Sequence, residues 1–438
     1  MASQTLPGDP THRSTAEAMD REDPLAFFRE RFFHADPDQC YLDGNSLGKL
    51  PLATLDAVSN FLTKEWGTLL VGGWSQWIDQ AQSAGDLLAR AILGAGPGQT
   101  LVCDTTSVNF YQLAVAAVKA RPGRKTVIID SANFPTDRYI IQGVCHDLGL
   151  NLVTLDTDGS GGPGAIPVDV EHERVTADAL APHLGPDVAL VTLQAVNYRS
   201  GSRSELAEIS AAVKEVGALM LWDCSHAGGA IELDFDGNGI DLAVGCTYKY
   251  GNSGPGSPAW LFVRDDLQKD LNVPIQGWFA QRDQFVMGPW FEKAEDLRAF
   301  QIASPSIMGI RAVEASYSLI EEAGIVAIEH KAALGTDLMI ALVDAWLAPY
   351  GVTLQTPREA SHRGGHIVIS HPEAAAIAQG LRELANVVPD YREPDTIRLA
   401  ISPLPTSYTE VWDGFDRLRG LLESGEFRTV GPRDSRVT

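Results

Sequence analysis

Short apolar runs alternate with helical patterns through the middle of the chain. The runs are continuous in hydrophobicity, which is typical of strands buried on both faces, and the segments between them place apolar residues at helical spacing. Strands alternating with helices predict an α/β fold with a mainly parallel sheet. The predicted strands are residues 100–103, 126–130, 152–155, 188–193, 218–222, 242–247 and 259–263, and the predicted helices between them are 107–120, 176–183 and 204–216.

The pattern changes near residue 306, where longer helical stretches begin. We predict helices at 306–333, 334–348, 373–384 and 409–422, with strands at 366–369 and 396–401. The chain is therefore divided into a large domain, residues 66–305, and a smaller C-terminal α/β domain, residues 306–438. Residues 1–22 are polar and are predicted to form a flexible arm, and residues 23–65 are predicted to pack with the small domain.

Composition and charge limit the possible partners and the compartment. The 438 residues are 45% hydrophobic and 21% charged, as in globular proteins of two domains, and the net charge of −23 argues against nucleic acid or anionic membranes as partners. Five scattered cysteines without a Cys-x-x-Cys pair predict neither a metal site nor disulfides, and indicate a reducing cytosol. No signal peptide and no run of membrane-spanning length is apparent, so we expect a cytoplasmic protein.

A lysine and an aspartate follow two of the predicted strands. Lys249 lies in a glycine-rich turn and Asp223 ends an earlier apolar run. Such a pair is what pyridoxal phosphate (PLP) chemistry needs, because the lysine forms a Schiff base with the aldehyde and the carboxylate keeps the pyridine nitrogen protonated. Each residue alone is as typical of an ordinary loop, but both follow strands, where ligands bind in parallel sheets. The sequence therefore predicts a PLP site at this edge.

Other residues near predicted strand and helix ends supply the remaining parts of such a site. Thr106 and Ser107 begin a predicted helix, where hydroxyl and backbone N–H groups bind phosphate, although ordinary helix capping is the alternative. Phe134 either stacks on the cofactor ring or belongs to the core. His226 either bonds Asp223 or lies near the cofactor, and Tyr248 either packs or relays a proton.

Arg398 is a candidate for binding the substrate. It alternates with apolar residues in a predicted strand, so it projects one charge from an otherwise apolar segment. A guanidinium group binds carboxylates through two parallel hydrogen bonds, which predicts contact with the α-carboxylate of an amino acid. An arginine on the exposed face of the strand is the alternative.

Several segments in this order resemble the kynureninase family of PLP enzymes, which have the aspartate aminotransferase-like fold (fold type I). The most specific are Tyr41–Gly48 and Gly245–Tyr250 with Gly254-Pro255-Gly256, and the resemblance extends over residues 41–405. It implies a homodimer with the site at the subunit interface. It also implies that PLP is surrounded by Thr106, Ser107, Phe134, Asp137, Asp223, His226, Tyr248, Lys249, Trp278 and Ser304, and that Asn45, Ser46 and Gln281 join Arg398 in binding the substrate.

Three positions depart from the family pattern. Gly277-Trp278-Phe279 is followed by Ala280-Gln281 where the family has Gly-His. Ala303-Ser304 replaces Gly-Thr or Ser-Asn, and Gln194 replaces a small hydroxyl residue. Because these positions line or adjoin the pocket, they favour a changed substrate, with neutral drift as the alternative.

The resemblance implies a PLP-dependent lyase or hydrolase in which Lys249, Tyr248 and Asp223 are catalytic. We expect a kynureninase-like enzyme of secondary metabolism that acts on a bulky amino acid, such as an S-substituted cysteine, by β-elimination or decarboxylating deamination. The alternative is hydrolysis of L-kynurenine to anthranilate and L-alanine. A class V aminotransferase or desulfurase is open by fold analogy alone. A non-catalytic PLP-fold regulator is disfavoured, because the acidic chain has no spare length for a DNA-binding module.

Overall fold

The large domain is built on an eight-stranded sheet. The computed structural model describes residues 6–430, and the sheet has the strand order β2-β9-β8-β7-β6-β3-β4-β5. Its members run parallel except β9, which is antiparallel to both neighbours. The strands of the described chain are β1 (Cys40–Tyr41), β2 (Thr100–Val102), β3 (Thr126–Asp130), β4 (Asn151–Asp156), β5 (Ile166–Pro167), β6 (Val188–Gln194), β7 (Leu219–Asp223), β8 (Leu242–Gly245), β9 (Trp260–Val263), β10 (Thr353–Leu354), β11 (His366–Ser370), β12 (Val387–Val388), β13 (Asp390–Arg392) and β14 (Thr396–Ala400).

Helices cover this sheet and form most of the remainder. Because every residue of β6, β7, β8 and β9 is buried, the continuous apolar runs of the sequence are explained by a sheet covered on both faces. The helices are α1 (Arg13–Glu22), α2 (Leu52–Asn60), α3 (Gly67–Leu69), α4 (Trp74–Trp77), α5 (Gln80–Leu88), α6 (Thr106–Lys119), α7 (Pro135–Leu148), α8 (Ala177–Leu180), α9 (Leu206–Glu215), α10 (Phe235–Asn238), α11 (Asp265–Gln268), α12 (Ile307–Ala323), α13 (Ile325–Leu342), α14 (Ala374–Leu384) and α15 (Tyr408–Ser424).

All nine predicted strands, seven in the large domain and two in the small domain, are present with ends within two residues of the prediction. Helix α7 was not predicted; Pro135 occupies its first turn, where a fixed φ and a missing N–H group are compatible with helix. The predicted break between helices at residue 333 is wrong, because the chain turns at Gly324, which has a φ of 79°. The α/β class with a mainly parallel sheet is confirmed.

The small domain has its own sheet and core. Strands β10, β11, β14 and β13 form an antiparallel sheet in that order, and a second apolar cluster includes residues of α13, α14 and α15. Helix α12 instead contributes Ile310 and Val313 to the large-domain core, and Leu338 of α13 joins the small-domain core. The division between the cores therefore falls within α13 rather than at residue 306.

The N-terminal part of the chain differs from the prediction in two respects. Residues 13–22 of the expected flexible arm form α1, which packs on α15 through Ala16 and Met19, while residues 1–5 lie outside the described part. Segment 23–65 contacts both cores: β1 pairs with β12 of the small domain, whereas Phe28 and Phe61 belong to the large-domain core. A few buried apolar side chains are therefore enough to hold the N-terminal segments, which are mainly polar in sequence, against the two cores.

One helical region also has the length and composition of a membrane span, contrary to the prediction. It covers Ile325–Tyr350, 26 residues with a mean hydropathy of 1.3, and 56% of the window that qualifies is buried. Leu338, Met339 and Leu342 from this region lie in the small-domain core. The apolar surface is thus used in packing, as in the core helix of a globular domain.

Candidate active site

Lys249 lies in an enclosed turn that follows β8. Its Nζ is 3.3 Å from Nδ1 and 3.2 Å from Nε2 of His226, and 5.8 Å from the ring centroid of Phe134. Burial lowers the pKa of Lys249, while the sulfur of Cys246 and the carboxylate of Asp223 act in the opposite direction. A lowered pKa increases the fraction of neutral amine, which is the nucleophilic form.

The Tyr41–Gly48 run lies against this turn. The backbone N–H of Gly48 donates to the carbonyl of Tyr248 at 2.8 Å. A Cβ atom at position 48 would overlap the carbonyl oxygen of Lys249 and the side chain of Asn252, so only glycine permits this approach. The two segments that carry the family resemblance most specifically are therefore in direct contact.

Two aspartates lie side by side next to the lysine turn. Asp223 ends β7 and accepts a hydrogen bond from the backbone N–H of Ser225 at 2.8 Å, and Asp137 lies in the first turn of α7. Burial, followed by the hydrogen-bonded neighbour Asp223, raises the pKa of Asp137 well above its usual range. Oδ2 of Asp137 has no hydrogen-bond partner in the described structure.

Thr106 and Ser107 stand at the start of α6 with unengaged hydroxyls. The cap of this helix is Thr105, whose Oγ1 accepts from the N–H of Val108 at 3.3 Å, and neither of the following hydroxyls makes a hydrogen bond within residues 6–430. Backbone hydrogen bonds of Ala259 with Cys103 and Asp104 hold this loop beside the segment that follows the lysine turn. The helix start is thus available to an anion.

An aromatic wall, which the sequence only partly revealed, closes one side. The rings of Phe134 and Tyr198 form an edge-to-face pair with centroids 5.3 Å apart, and Tyr198 also lies 6.4 Å from His226. Gln194 accepts from the Tyr198 N–H at 3.1 Å and donates to the carbonyl of Ala132 at 3.1 Å. This departure from the family pattern therefore joins the two loops that carry the aromatic rings. Tyr198 was not predicted as a site residue.

Arg398 is 1% exposed and lies inside the site, which excludes the surface alternative. Its Nε donates to Asp390, its Nη1 donates to the carbonyl of Tyr198 at 2.5 Å, and its Nη2 donates to Ser46 Oγ at 2.9 Å. Nη1 is also 3.4 Å from Nε2 of His226. The guanidinium group therefore joins the small domain, the large domain and the N-terminal segment. Sequence reasoning missed Asp390, because strand pairing creates its contact with Arg398.

Asp43 and Asn45 precede Ser46 in the chain, and both are buried. Asn45 is fully buried, and neither its amide oxygen nor its amide nitrogen has a hydrogen-bond partner within residues 6–430. Burial, reinforced by the charge of Asp390, raises the pKa of Asp43 to about 6. This buried polar segment is the part of the predicted substrate site that the structure places next to Arg398.

His226 is held neutral between two cations. Burial first, and then the charges of Lys249 and Arg398, lower its pKa well below the usual range. His366 lies on β11 and was not predicted as a site residue. Its ring centroid is 5.8 Å from that of His226, and burial lowers the pKa of His366 to about 3. A neutral imidazole accepts at one nitrogen and donates at the other, so His226 can share a proton with Lys249.

Three predicted residues lie apart from this cluster. Trp278 is 45% exposed, Ser304 is exposed, and Gln281 accepts from the backbone N–H of Glu292 at 2.6 Å. No hydrogen bond, ion pair or ring contact in the described part of the chain joins them to Lys249 or Arg398. Gly277 packs directly on the backbone of Ile302, so the segments that carry Trp278 and Ser304 approach each other at that point.

Solved structures with the same architecture are PLP-related enzymes. A cysteine desulfurase from Escherichia coli superposes with a TM-score of 0.75 over 91% of this chain and 98% of its own, at 15% identity. The apo cysteine desulfurase from Thermococcus onnurineus has a TM-score of 0.74 over 97% of this chain and 100% of its own, at 18% identity. These likenesses define the fold, and together with the lysine–aspartate site they place the chain in the fold type I class.

Sequence comparison then gives the family. Residues 328–418 match the family model described as Kynureninase C-terminal domain. Kynureninase from Pseudomonas fluorescens is 35% identical over 94% of this chain and 96% of its own length, and that from Burkholderia pseudomallei (strain 1106a) is 35% identical over 95% and 97%. The chain belongs to the kynureninase family. The predicted resemblance, the fold class and the PLP cofactor are thereby confirmed.

Proposed function

We propose that this enzyme acts on an α-amino acid with a bulky side chain other than kynurenine, as a lyase or hydrolase. The observation that carries the proposal is the enclosure of Lys249 Nζ by His226 and Phe134, with Arg398 3.4 Å from the same imidazole. An amine-binding lysine and a carboxylate-binding arginine on either side of one imidazole fit the two charged groups of an amino acid.

The residues present fit the cofactor. Lys249 would hold its aldehyde, and the hydroxyls of Thr106 and Ser107 would hold its phosphate at the start of α6. The free Oδ2 of Asp137 and the adjacent Asp223 supply the buried carboxylates that a protonated ring nitrogen requires. When bound, PLP supplies an electron-withdrawing ring that stabilises negative charge at the substrate's Cα.

The protein's side chains then position the substrate and move protons. Lys249 Nζ takes the proton from Cα, and neutral His226, 3.2 Å away, is placed to share it. The phenol of Tyr248 is the candidate relay to the side chain; the Cys246 sulfur and burial raise its pKa, so it stays protonated. Arg398 binds the α-carboxylate and so orients the Cα–H bond towards Lys249.

Arg398 has little donor capacity left for this task. Four of its five N–H groups are directed at Asp390, Tyr198, His226 and Ser46. The remaining N–H of Arg398 is the donor that is left for the α-carboxylate. Asn45, with an unengaged buried amide, provides the next polar group for the substrate.

The departures from the family pattern support a changed substrate. At the position where the family has an imidazole, Gln281 uses its oxygen to hold the backbone of Glu292, so no acid–base group is supplied there. We infer a side chain such as that of an S-substituted cysteine, cleaved by β-elimination or processed by decarboxylating deamination, in secondary metabolism. Kynurenine hydrolysis is the second candidate, because relatives that are 35% identical over nearly the whole chain are named kynureninases.

We also propose a homodimer in the cytoplasm in which each site is completed by the other subunit. The exposed Trp278 and its neighbours Met287 and Trp290, which are 76% and 83% exposed, are the surface that supports this proposal. Five buried free cysteines agree with a reducing compartment. Mixing a Trp278→Ala variant with a Lys249→Ala variant would restore activity if the site is shared, and would not if each chain is self-sufficient.

The decisive assay incubates the PLP-loaded protein with L-kynurenine, 3-hydroxy-L-kynurenine and S-phenyl-L-cysteine, and follows anthranilate, alanine and pyruvate by mass spectrometry. We expect pyruvate from the cysteine conjugate and little anthranilate; efficient anthranilate formation would establish the second candidate instead. Lys249→Ala should lose the cofactor absorbance band and all turnover, whereas Lys125→Ala, at an exposed position, should retain both. A band that survives in Lys249→Ala would remove Lys249 from the site.

A further inference from the structure

A second polar cavity lies between the two domains. It has a volume of about 330 Å³ and is lined by Glu173 and Arg199 of the large domain and by Ser370 and Asp395 of the small domain, among others. None of its lining residues belongs to the Lys249 cluster. At about 30 Å³ per water molecule, the space holds on the order of ten waters or one small organic molecule.

Opposite charges line this cavity, and the pairing of Arg199 is loose. The Arg199 guanidinium makes no hydrogen bond in the described part of the chain, and its closest carboxylate, Asp158, is 4.0 Å away. Oε2 of Glu173 is buried and has no hydrogen-bond partner there either. No ion pair within 4.0 Å joins Glu173 to Arg199, although the Arg199 charge acts on the Glu173 carboxyl, whose pKa burial raises. Oε2 of Glu173 without a partner, beside a guanidinium held by one contact at 4.0 Å, leaves hydrogen-bonding capacity that a ligand can use.

The backbone that carries Glu173 is strained. His172 and Glu173 have φ values of 53° and 60°, in the left-handed region that non-glycine residues seldom adopt. Such a conformation costs on the order of 1–3 kcal/mol per residue and is retained where it serves a site. In this loop the left-handed conformation places Glu173, whose Oε2 has no hydrogen-bond partner, at the wall of the cavity.

The loop that carries Arg199 also connects the cavity to the candidate active site. Tyr198, which precedes Arg199, accepts from Arg398 through its carbonyl at 2.5 Å. The carbonyl of Ser200, which follows it, accepts from Thr356 Oγ1 of the small domain at 2.7 Å. A molecule bound to Arg199 therefore contacts a loop that holds the two domains together at Arg398.

We propose that this cavity binds a small amino acid as a zwitterion, at a site separate from the substrate's. The carboxylate of the ligand occupies the guanidinium fork of Arg199, and its ammonium group occupies Oε2 of Glu173, with Asp395 on the opposite wall. A ligand that carries both charges engages the guanidinium of Arg199 and Oε2 of Glu173 at once, which a simple anion or cation does not. Its binding favours the contact between the domains that positions Arg398.

The test removes the active site from the measurement. The holoenzyme is reduced with borohydride, which joins PLP permanently to Lys249, and binding of glycine and L-alanine is measured by equilibrium dialysis. We expect one saturable site per chain, with binding of propionate and ethylamine at least about tenfold weaker because each lacks one of the two charges. Loss of the absorbance band on reduction reports the cofactor independently, so failure of the proposed catalytic function is seen separately.

Variants identify the cavity as the site. Arg199→Met and Glu173→Gln should each raise the dissociation constant at least about tenfold. Glu171→Gln, two residues away and 89% exposed, is the matched control and should leave it unchanged. The proposal is overturned if the reduced enzyme binds neither amino acid, if propionate binds equally well, or if the folded Glu173→Gln variant binds as the parent does.

Discussion

Replacing Arg398 by lysine keeps the charge and removes the planar fork. In the native protein the guanidinium donates to Asp390, the Tyr198 carbonyl and Ser46 simultaneously, and lies 3.4 Å from His226. A lysine ammonium has three N–H groups on one atom, so it retains the contact with Asp390 at the expense of the others. Hydrogen bonds to charged groups contribute about 1.5–3 kcal/mol each. Loss of one such bond to the substrate carboxylate therefore predicts a KM increase of roughly 10–100-fold at about 1.4 kcal/mol per factor of ten.

Arg392→Lys is the matched control for this variant. Arg392 also contacts Asp390, at 3.0 Å, but its side chain is 30% exposed and makes no hydrogen bond to Ser46 or Tyr198 within residues 6–430. The assay compares kcat, KM and the cofactor absorbance band of both variants at saturating PLP, with thermal unfolding as the check on folding. We expect a raised KM with an intact band for Arg398→Lys and a change below about twofold for Arg392→Lys. Equal effects of the two substitutions would refute the assignment of Arg398 to the carboxylate.

Substitutions at three further positions test two buried carboxyl groups and the packing of the lysine turn. Burial raises the pKa of Asp130 from 3.8 to about 7, so the folded protein loses stability as the pH rises from about 4 to about 7. At about 1.4 kcal/mol per pKa unit, the advantage of Asp130→Asn over the parent in urea unfolding should grow by up to about 3 kcal/mol between pH 5 and pH 7; a constant difference contradicts this. Asp137→Asn should retain PLP affinity because its amide still donates to Asp223, whereas Asp137→Leu should lose about tenfold or more in an absorbance titration, and equal affinities would remove the donor role. Gly48→Ala should lower the thermal midpoint by displacing the lysine turn, at about 1–3 kcal/mol, and an unchanged midpoint would contradict the close approach.

The sequence predicted the parts of the site that follow strands. Asp223 and Lys249 come after neighbouring strands of a parallel sheet, and such strands end at the same edge, so sequence order alone brought them together. Asp390 could not be found in this way, because its contact with Arg398 arises from the antiparallel pairing of β13 with β14. Helix α1 was not predicted because only a few of its residues are buried, so its sequence has no clear apolar pattern. Such a helix is stabilised mainly by tertiary contacts.

Arg398 connects the proposed substrate site with the cavity between the domains. It does so through its hydrogen bond to Tyr198, which precedes Arg199 on the loop that lines the cavity. Its three partners come from the N-terminal segment, the large domain and the small domain, so a carboxylate that engages the guanidinium acts on all three at once. Arg398 is 1% exposed and its partner Asp390 is fully buried, so separating the domains would leave both charges in need of solvent. A ligand that bridges the domains next to Tyr198 would add to the contacts that hold Arg398 in place. Affinity at Arg398 and occupancy of the cavity are then linked by the same free energy, whichever ligand binds first.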